Sequence, residues 1–70
     1  MNANPILLQK KYARIIEGLA AREGWPAERA LRSFYGSNTY QLMREGVSDM
    51  HARSDAYLVE ELVREIEAAS

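Results

Sequence analysis

Ser48, Asp49, His51, Ser54 and Asp55 are the residues of this chain best suited to chemistry, because one short stretch holds the only histidine, two of the ten acids and two serines. Asp49, His51 and Asp55 supply two carboxylates and an imidazole, a donor set that can hold a divalent ion with water completing its shell. Their spacing matches no ligand pattern such as two histidines four apart on a helix. Ordinary caps explain the same residues, with Ser48 or Asp49 closing a turn and Ser54 or Asp55 opening a helix. His51 could activate Ser48 or Ser54 as a nucleophile, but no strained elbow or oxyanion-hole pattern accompanies them. The expectation is no enzyme, no metal and no cofactor, with Ser48–Asp55 serving as a capped hinge.

The elements that position this stretch follow from hydrophobic spacing and punctuation. Asn4 reads as an N-cap and Pro5 as the first helical residue. Leu8, Tyr12, Ile15, Ile16 and Leu19 then make an amphipathic stripe, and Gly24 ends it. Gly18 sits inside that helix at a cost of about 1 kcal/mol against alanine, so either another helix passes close there or the glycine is simply tolerated. Pro26 suits the first turn of a second helix. Ala27, Ala30, Leu31 and Phe34 form its apolar face, Tyr35 its edge, and Gly36 its end. Trp25 is placed to fold back as a hydrophobic staple.

Ser37 caps a short third helix closed by Gly46, in which Leu42 and Met43 are adjacent, so that only one can point straight into the core. In the last helix Leu58, Leu62 and Ile66, joined by Val59 and Val63, form the core stripe. Glu60, Glu61, Arg64, Glu65 and Glu67 are expected to face water, with Glu60–Arg64 as a favourable pair and Glu65 and Glu67 mildly unfavourable near the negative helix end. The sum is one all-α domain over residues 1–70, a small compact bundle of about four helices with short connections.

Composition narrows the function classes. Seventy residues without cysteine must be stabilised by helix packing alone, and a chain of this size gains from a second copy, so self-association is compatible with it. No apolar run approaches the roughly 20 residues of a membrane span, and no basic-then-apolar leader opens the chain, so a cytoplasmic location is expected. The net charge of −1 conceals an asymmetry. Residues 1–35 carry six basic against three acidic side chains, a net of +3, and residues 36–70 carry three against seven, a net of −4. Such halves attract each other within a fold or between copies. The second and third helices, joined at Gly36–Ser37, imitate a helix-turn-helix, which makes a DNA-binding regulator the alternative reading. Its third helix offers Gln41 and Arg44 but also Glu45, too little positive charge for a strong phosphate term, so nucleic acid is not the expected partner.

The amphipathic rings point elsewhere. Tyr12, Tyr35, Tyr40 and Tyr57, with Trp25 and His51, are many for so small a body, and tyrosine is favoured where surface is buried only on binding. Any one tyrosine can merely seal the rim of the core. As a set, at least two are expected at a protein interface.

The run Leu7-Leu8-Gln9-Lys10-Lys11-Tyr12-Ala13-Arg14-Ile15-Ile16-Glu17 resembles the opening of a family of small uncharacterised bacterial proteins, domain-of-unknown-function family 3791. Ala30-Leu31-Arg32-Ser33-Phe34-Tyr35-Gly36-Ser37, Ser48-Asp49-Met50-His51 and Ser54-Asp55-Ala56-Tyr57-Leu58-Val59-Glu60-Glu61-Leu62 resemble it in the same order and spacing. The resemblance implies a short helical protein of no established activity, often encoded beside an ADP-ribosyltransferase-like protein. That arrangement implies an antitoxin-like or regulatory partner role. Two positions depart from the pattern. Ala52-Arg53 replaces the cysteine and methionine of relatives, which removes a thiol and counts against chemistry there, and Pro26 replaces a serine or threonine cap. Taken together, the expected function is a protein-interaction module whose contact surface gathers Tyr35, Tyr40, Met50, His51 and Tyr57. Asp49 and Asp55 either cap helices there or pair with an arginine of the partner.

Overall fold

Pro5 stands at the first position of α1 (Pro5–Glu23), where its fixed φ suits a helix and its missing N–H costs no hydrogen bond. The Asn4 cap expected before it lies outside residues 5–69, which are those described in this computed structural model. After a turn at Gly24, Pro26 takes an extended conformation as the residue before α2 (Ala27–Tyr35), so it precedes the first turn instead of belonging to it. Its carbonyl accepts the Arg29 and Ala30 N–H groups, which starts the helix without a side-chain cap. Ser37 caps α3 (Asn38–Glu45) by accepting the Tyr40 N–H at 3.0 Å, and its own hydroxyl donates to the Phe34 carbonyl at 2.6 Å. Gly46 closes α3 at φ +70°, a left-handed conformation that a β-carbon would strain.

Most of the stretch expected as a capped hinge lies in a 3-10 segment, Val47–Ala52, interrupted where Ser48 and Asp49 adopt left-handed φ values of 52° and 54°. Short polar side chains tolerate that region better than most residues do. The last helix, α4 (Asp55–Ala69), is capped by Ser54, whose hydroxyl oxygen accepts the Tyr57 N–H at 3.1 Å. Among the described residues there is no strand, and the architecture is a small all-α bundle.

The core takes Tyr12, Ile15, Ile16 and Leu19 from α1, Ala30 and Phe34 from α2, Met43 from α3, Met50 from the 3-10 segment, and Leu58, Leu62 and Val63 from α4. Leu8, Trp25, Leu42, Val59 and Ile66 pack around it, half-buried. Of the adjacent pair Leu42 and Met43, methionine goes inward. Two expectations need correction on α2, where Ala27 is exposed and Leu31 is 45% exposed. This short helix has room for one inward row, which Ala30 and Phe34 fill, and Leu31 lies about 100° further round.

Gly18 marks a close approach of α1 and α4, since a β-carbon there would sit 3.1 Å from Val59 Cγ2. Val59 is branched at Cβ and cannot easily swing aside. Alanine at this position recovers about 1 kcal/mol of helix propensity but meets an overpacking cost of about 1–3 kcal/mol. Gly18→Ala is therefore expected to lower stability by about 1 kcal/mol, and to raise it in a Val59→Ala background where the clash is absent. Urea melts of the four proteins measure this, and a more stable Gly18→Ala single variant would contradict the close approach.

Candidate functional site

Around the capped stretch, the side chains expected to act together are spread among different tasks. Asp55 lies in the first turn of α4, where a carboxylate suits the positive helix end. It accepts a hydrogen bond from Arg14 Nε at 2.7 Å and lies 3.5 Å from Lys11 Nζ, so within this fold its cations come from α1. Lys11 also donates to the Arg53 carbonyl. Two cations of α1 thus fasten the start of α4. The Arg14 hydrogen bond, chiefly, holds the Asp55 carboxyl below the usual aspartate range, the charges of Arg14 and Lys11 adding to it against a small opposing effect of burial. A lowered folded pKa means that the pair's contribution is complete above the ordinary aspartate value of 3.8 and is lost as pH falls through the lower folded value. The Asp55 side chain is 38% exposed, so solvent screening limits that contribution to about 0.5 kcal/mol or less. Asp55→Asn should be slightly less stable than the parent near neutrality, and the gap should close in acid. Urea midpoints across that pH range measure it, and a gap independent of pH would contradict the pairing.

Met50 is only 8% exposed and belongs to the core, which corrects its expected place on a contact surface. Asp49 is exposed in its left-handed turn. His51 is half-buried with its imidazole against Gly46, and its Nδ1 is enclosed without a hydrogen-bonding partner among the described residues. Among the described residues no three side chains of metal-ligating type converge, so Asp49, His51 and Asp55 do not form one site. Tyr57, 42% exposed, lies beneath the Arg53 guanidinium at 5.3 Å.

Tyr35 and Tyr40 do come together, in a cluster that spacing alone does not reveal. Tyr12, Phe34, Tyr35 and Tyr40 touch in every pairing, with ring centroids 4.9–6.3 Å apart in tilted or edge-on geometry. Such pairs contribute about 0.5–1.5 kcal/mol each beyond area burial. The cluster ties α1 to α2 and α3. Phe34 is wholly buried, Tyr12 nearly so, Tyr40 half-buried, and Tyr35 44% exposed, so the cluster runs from core to surface. Burial first, then the neighbouring Tyr40 and Tyr35 hydroxyls, raise the Tyr12 phenol above the ordinary tyrosine range, with Arg44 opposing. One turn before Tyr35 stands exposed Leu31, which extends the apolar surface along α2.

The start of α3, the expected reading helix of a helix-turn-helix, is occupied by an acid. Glu65 of α4 accepts the Asn38 N–H at 2.7 and 3.0 Å and the Thr39 N–H at 3.3 and 3.4 Å. Glu65 therefore does not merely face water as a misplaced charge, because the exposed N–H groups of α3 compensate it. A carboxylate in that position also repels the phosphates that such a helix would meet. The expected Glu60–Arg64 pair is replaced by two others, Glu60 with Arg22 of α1 and Arg64 with Glu61. Together with the Lys11 and Arg14 contacts to Asp55, this sets part of the basic charge of the first half against the acidic charge of the second within one fold.

No family model, no curated protein and no solved structure matches this chain. Among the described residues, no helix is long and apolar enough to cross a membrane.

Proposed function

We propose that this chain is a small bacterial protein-interaction module that docks on a protein partner through the surface around Tyr35 and Tyr40. The observation that carries the reading is the half-exposed edge of the aromatic cluster, Tyr35 against Tyr40 at 4.9 Å with Leu31 one turn away. Scattered exposed apolar residues are normal, whereas contiguous ones backed by a rigid core favour a binding surface. Tyrosine anchors of this kind also lose little conformational entropy on docking. The resemblance in sequence supports an ADP-ribosyltransferase-like partner and an antitoxin-like or regulatory role in the cytoplasm.

Co-purification with the product of the neighbouring gene, followed by titration calorimetry, tests the reading. Tyr35→Ala combined with Leu31→Ala should weaken binding about tenfold or more, with helical circular dichroism verifying that the variant is folded, because Tyr35 also touches Tyr12, Phe34 and Tyr40. A chain that stays alone in the presence of that product, or binding insensitive to both substitutions, would overturn it.

A further inference from the structure

On α2, Ala30 and Phe34 turn inward, Leu31 and Tyr35 lie on one flank, and Arg29, Arg32 and Ser33 lie on the other. That second flank lines a shallow cleft of about 470 Å³ with Trp25, Ile66 and Ala69. Ser33, Ile66 and Ala69 continue it into an adjoining cleft of about 290 Å³ toward Ser37, Asn38 and Leu62. We propose that this cleft, between α2 and the last turn of α4, is a second recognition site for an acidic peptide segment carrying an apolar side chain. It does not depend on the Tyr35 surface.

Charge complementarity selects this occupant. Among the described residues, the larger cleft is lined by two guanidinium groups and no acid. Arg29 Cζ lies over the Trp25 ring at 4.2 Å from its centroid, a cation–π contact that holds the guanidinium at the cleft without using up its N–H donors. Among the described residues no carboxylate pairs with Arg29. Arg32 meets Glu28 only at 3.8 Å, with both side chains more than 70% exposed, a contact that an incoming carboxylate can displace at little cost. Glu65, the acid bordering the smaller cleft, is already committed to the Asn38 and Thr39 N–H groups. The planar fork of arginine fits a carboxylate bidentately, and the Trp25, Ile66 and Ala69 surface offers an apolar floor beside it. A nucleic acid fits less well, because it needs a longer basic track than two arginines.

Trp25 is the only tryptophan, so its emission reports directly on the cleft. The probe is a fluorescein-labelled peptide with a central leucine flanked by glutamates, titrated against the full chain and read by Trp25 emission and by peptide anisotropy. Saturable binding is expected with Kd about 10–500 µM, weakened several-fold when salt rises from about 50 to about 500 mM. Arg29→Glu with Arg32→Glu should weaken it about tenfold or more, with Arg29→Gln/Arg32→Gln intermediate, while Leu31→Ala/Tyr35→Ala leaves it unchanged. Helical circular dichroism verifies that each variant is folded. The proposal is overturned if the glutamine analogue of the peptide binds equally well or if both arginine variants bind like the parent. It is also overturned if a single-stranded oligonucleotide displaces the probe at lower concentration than unlabelled peptide does. Self-association that shifts Trp25 emission with protein concentration, uncompeted by peptide, would assign the cleft to a second copy and likewise overturn it.

Discussion

Phe34→Ala is expected to cost about 3–5 kcal/mol, a large part of the stability of a domain of this size. Phe34 is wholly buried and touches the rings of Tyr12, Tyr35 and Tyr40, so its removal opens a cavity at the junction of α1, α2 and α3. A domain of this size has about 5 kcal/mol or little more in reserve. The variant should therefore unfold at a melting temperature lower by about 15 °C or more, or fail to show a cooperative transition. Phe34→Leu, which keeps most of the volume, should lose less than about half as much. A second readout follows from Tyr12, whose raised ionisation depends first on burial and then on Tyr40 and Tyr35. Spectrophotometric titration should show its high-pH wave returning to the ordinary tyrosine range in Phe34→Ala. Because a raised phenol pKa stabilises the fold below the unfolded value and that benefit is lost as pH rises through the folded one, the alkaline limb of stability should flatten in the same variant. A melting temperature within a few degrees of the parent would contradict the place of Phe34 at the centre of the cluster.

What the sequence conveyed, and what it concealed, divides along the range of the physical effect. The helices follow from apolar spacing within one turn and from Ser37, Gly46 and Ser54, whose caps need only neighbouring backbone groups. Charge partners were misread wherever a tertiary partner competed with a local one. Glu60 and Arg64 have favourable spacing on one helix, yet Glu60 reaches Arg22 on α1 and Arg64 turns to Glu61. Asp55 carries a charge that suits either a cap or a partner's arginine, and only packing brings Arg14 of α1 to it. The candidate surface was partly legible. Tyr35 and Tyr40 do meet, but Met50 is drawn into the core by a turn whose left-handed Ser48 and Asp49 carry no glycine to announce it. The mutual contact of four rings from three helices depends on how those helices cross, which periodicity along each does not encode.

The capping of α3 leads to the second large effect. A helix opens with four N–H groups that lack intrahelical acceptors, and in α3 each has found one. Ser37 donates to the Phe34 carbonyl at 3.1 Å, Asn38 and Thr39 donate to Glu65, and Tyr40 donates to the Ser37 hydroxyl. Glu65→Ala removes the acceptor for two donors, one of them on Thr39, which is only 5% exposed. Loss of a charged acceptor there should cost about 1.5–3 kcal/mol. Ser37→Ala should cost about 1 kcal/mol. Since the two side chains serve different donors, the double variant should lose close to the sum, with coupling below about 0.5 kcal/mol. Glu65→Gln keeps a carbonyl oxygen for the Asn38 N–H and should recover part of the loss. Because Glu65 ties the start of α3 to α4, hydrogen exchange in Glu65→Ala should accelerate at Asn38, Thr39 and Tyr40 before it does in α1. Exchange that rises uniformly across the chain would instead mean that α3 has no separate attachment, and that Glu65 merely contributes to global stability.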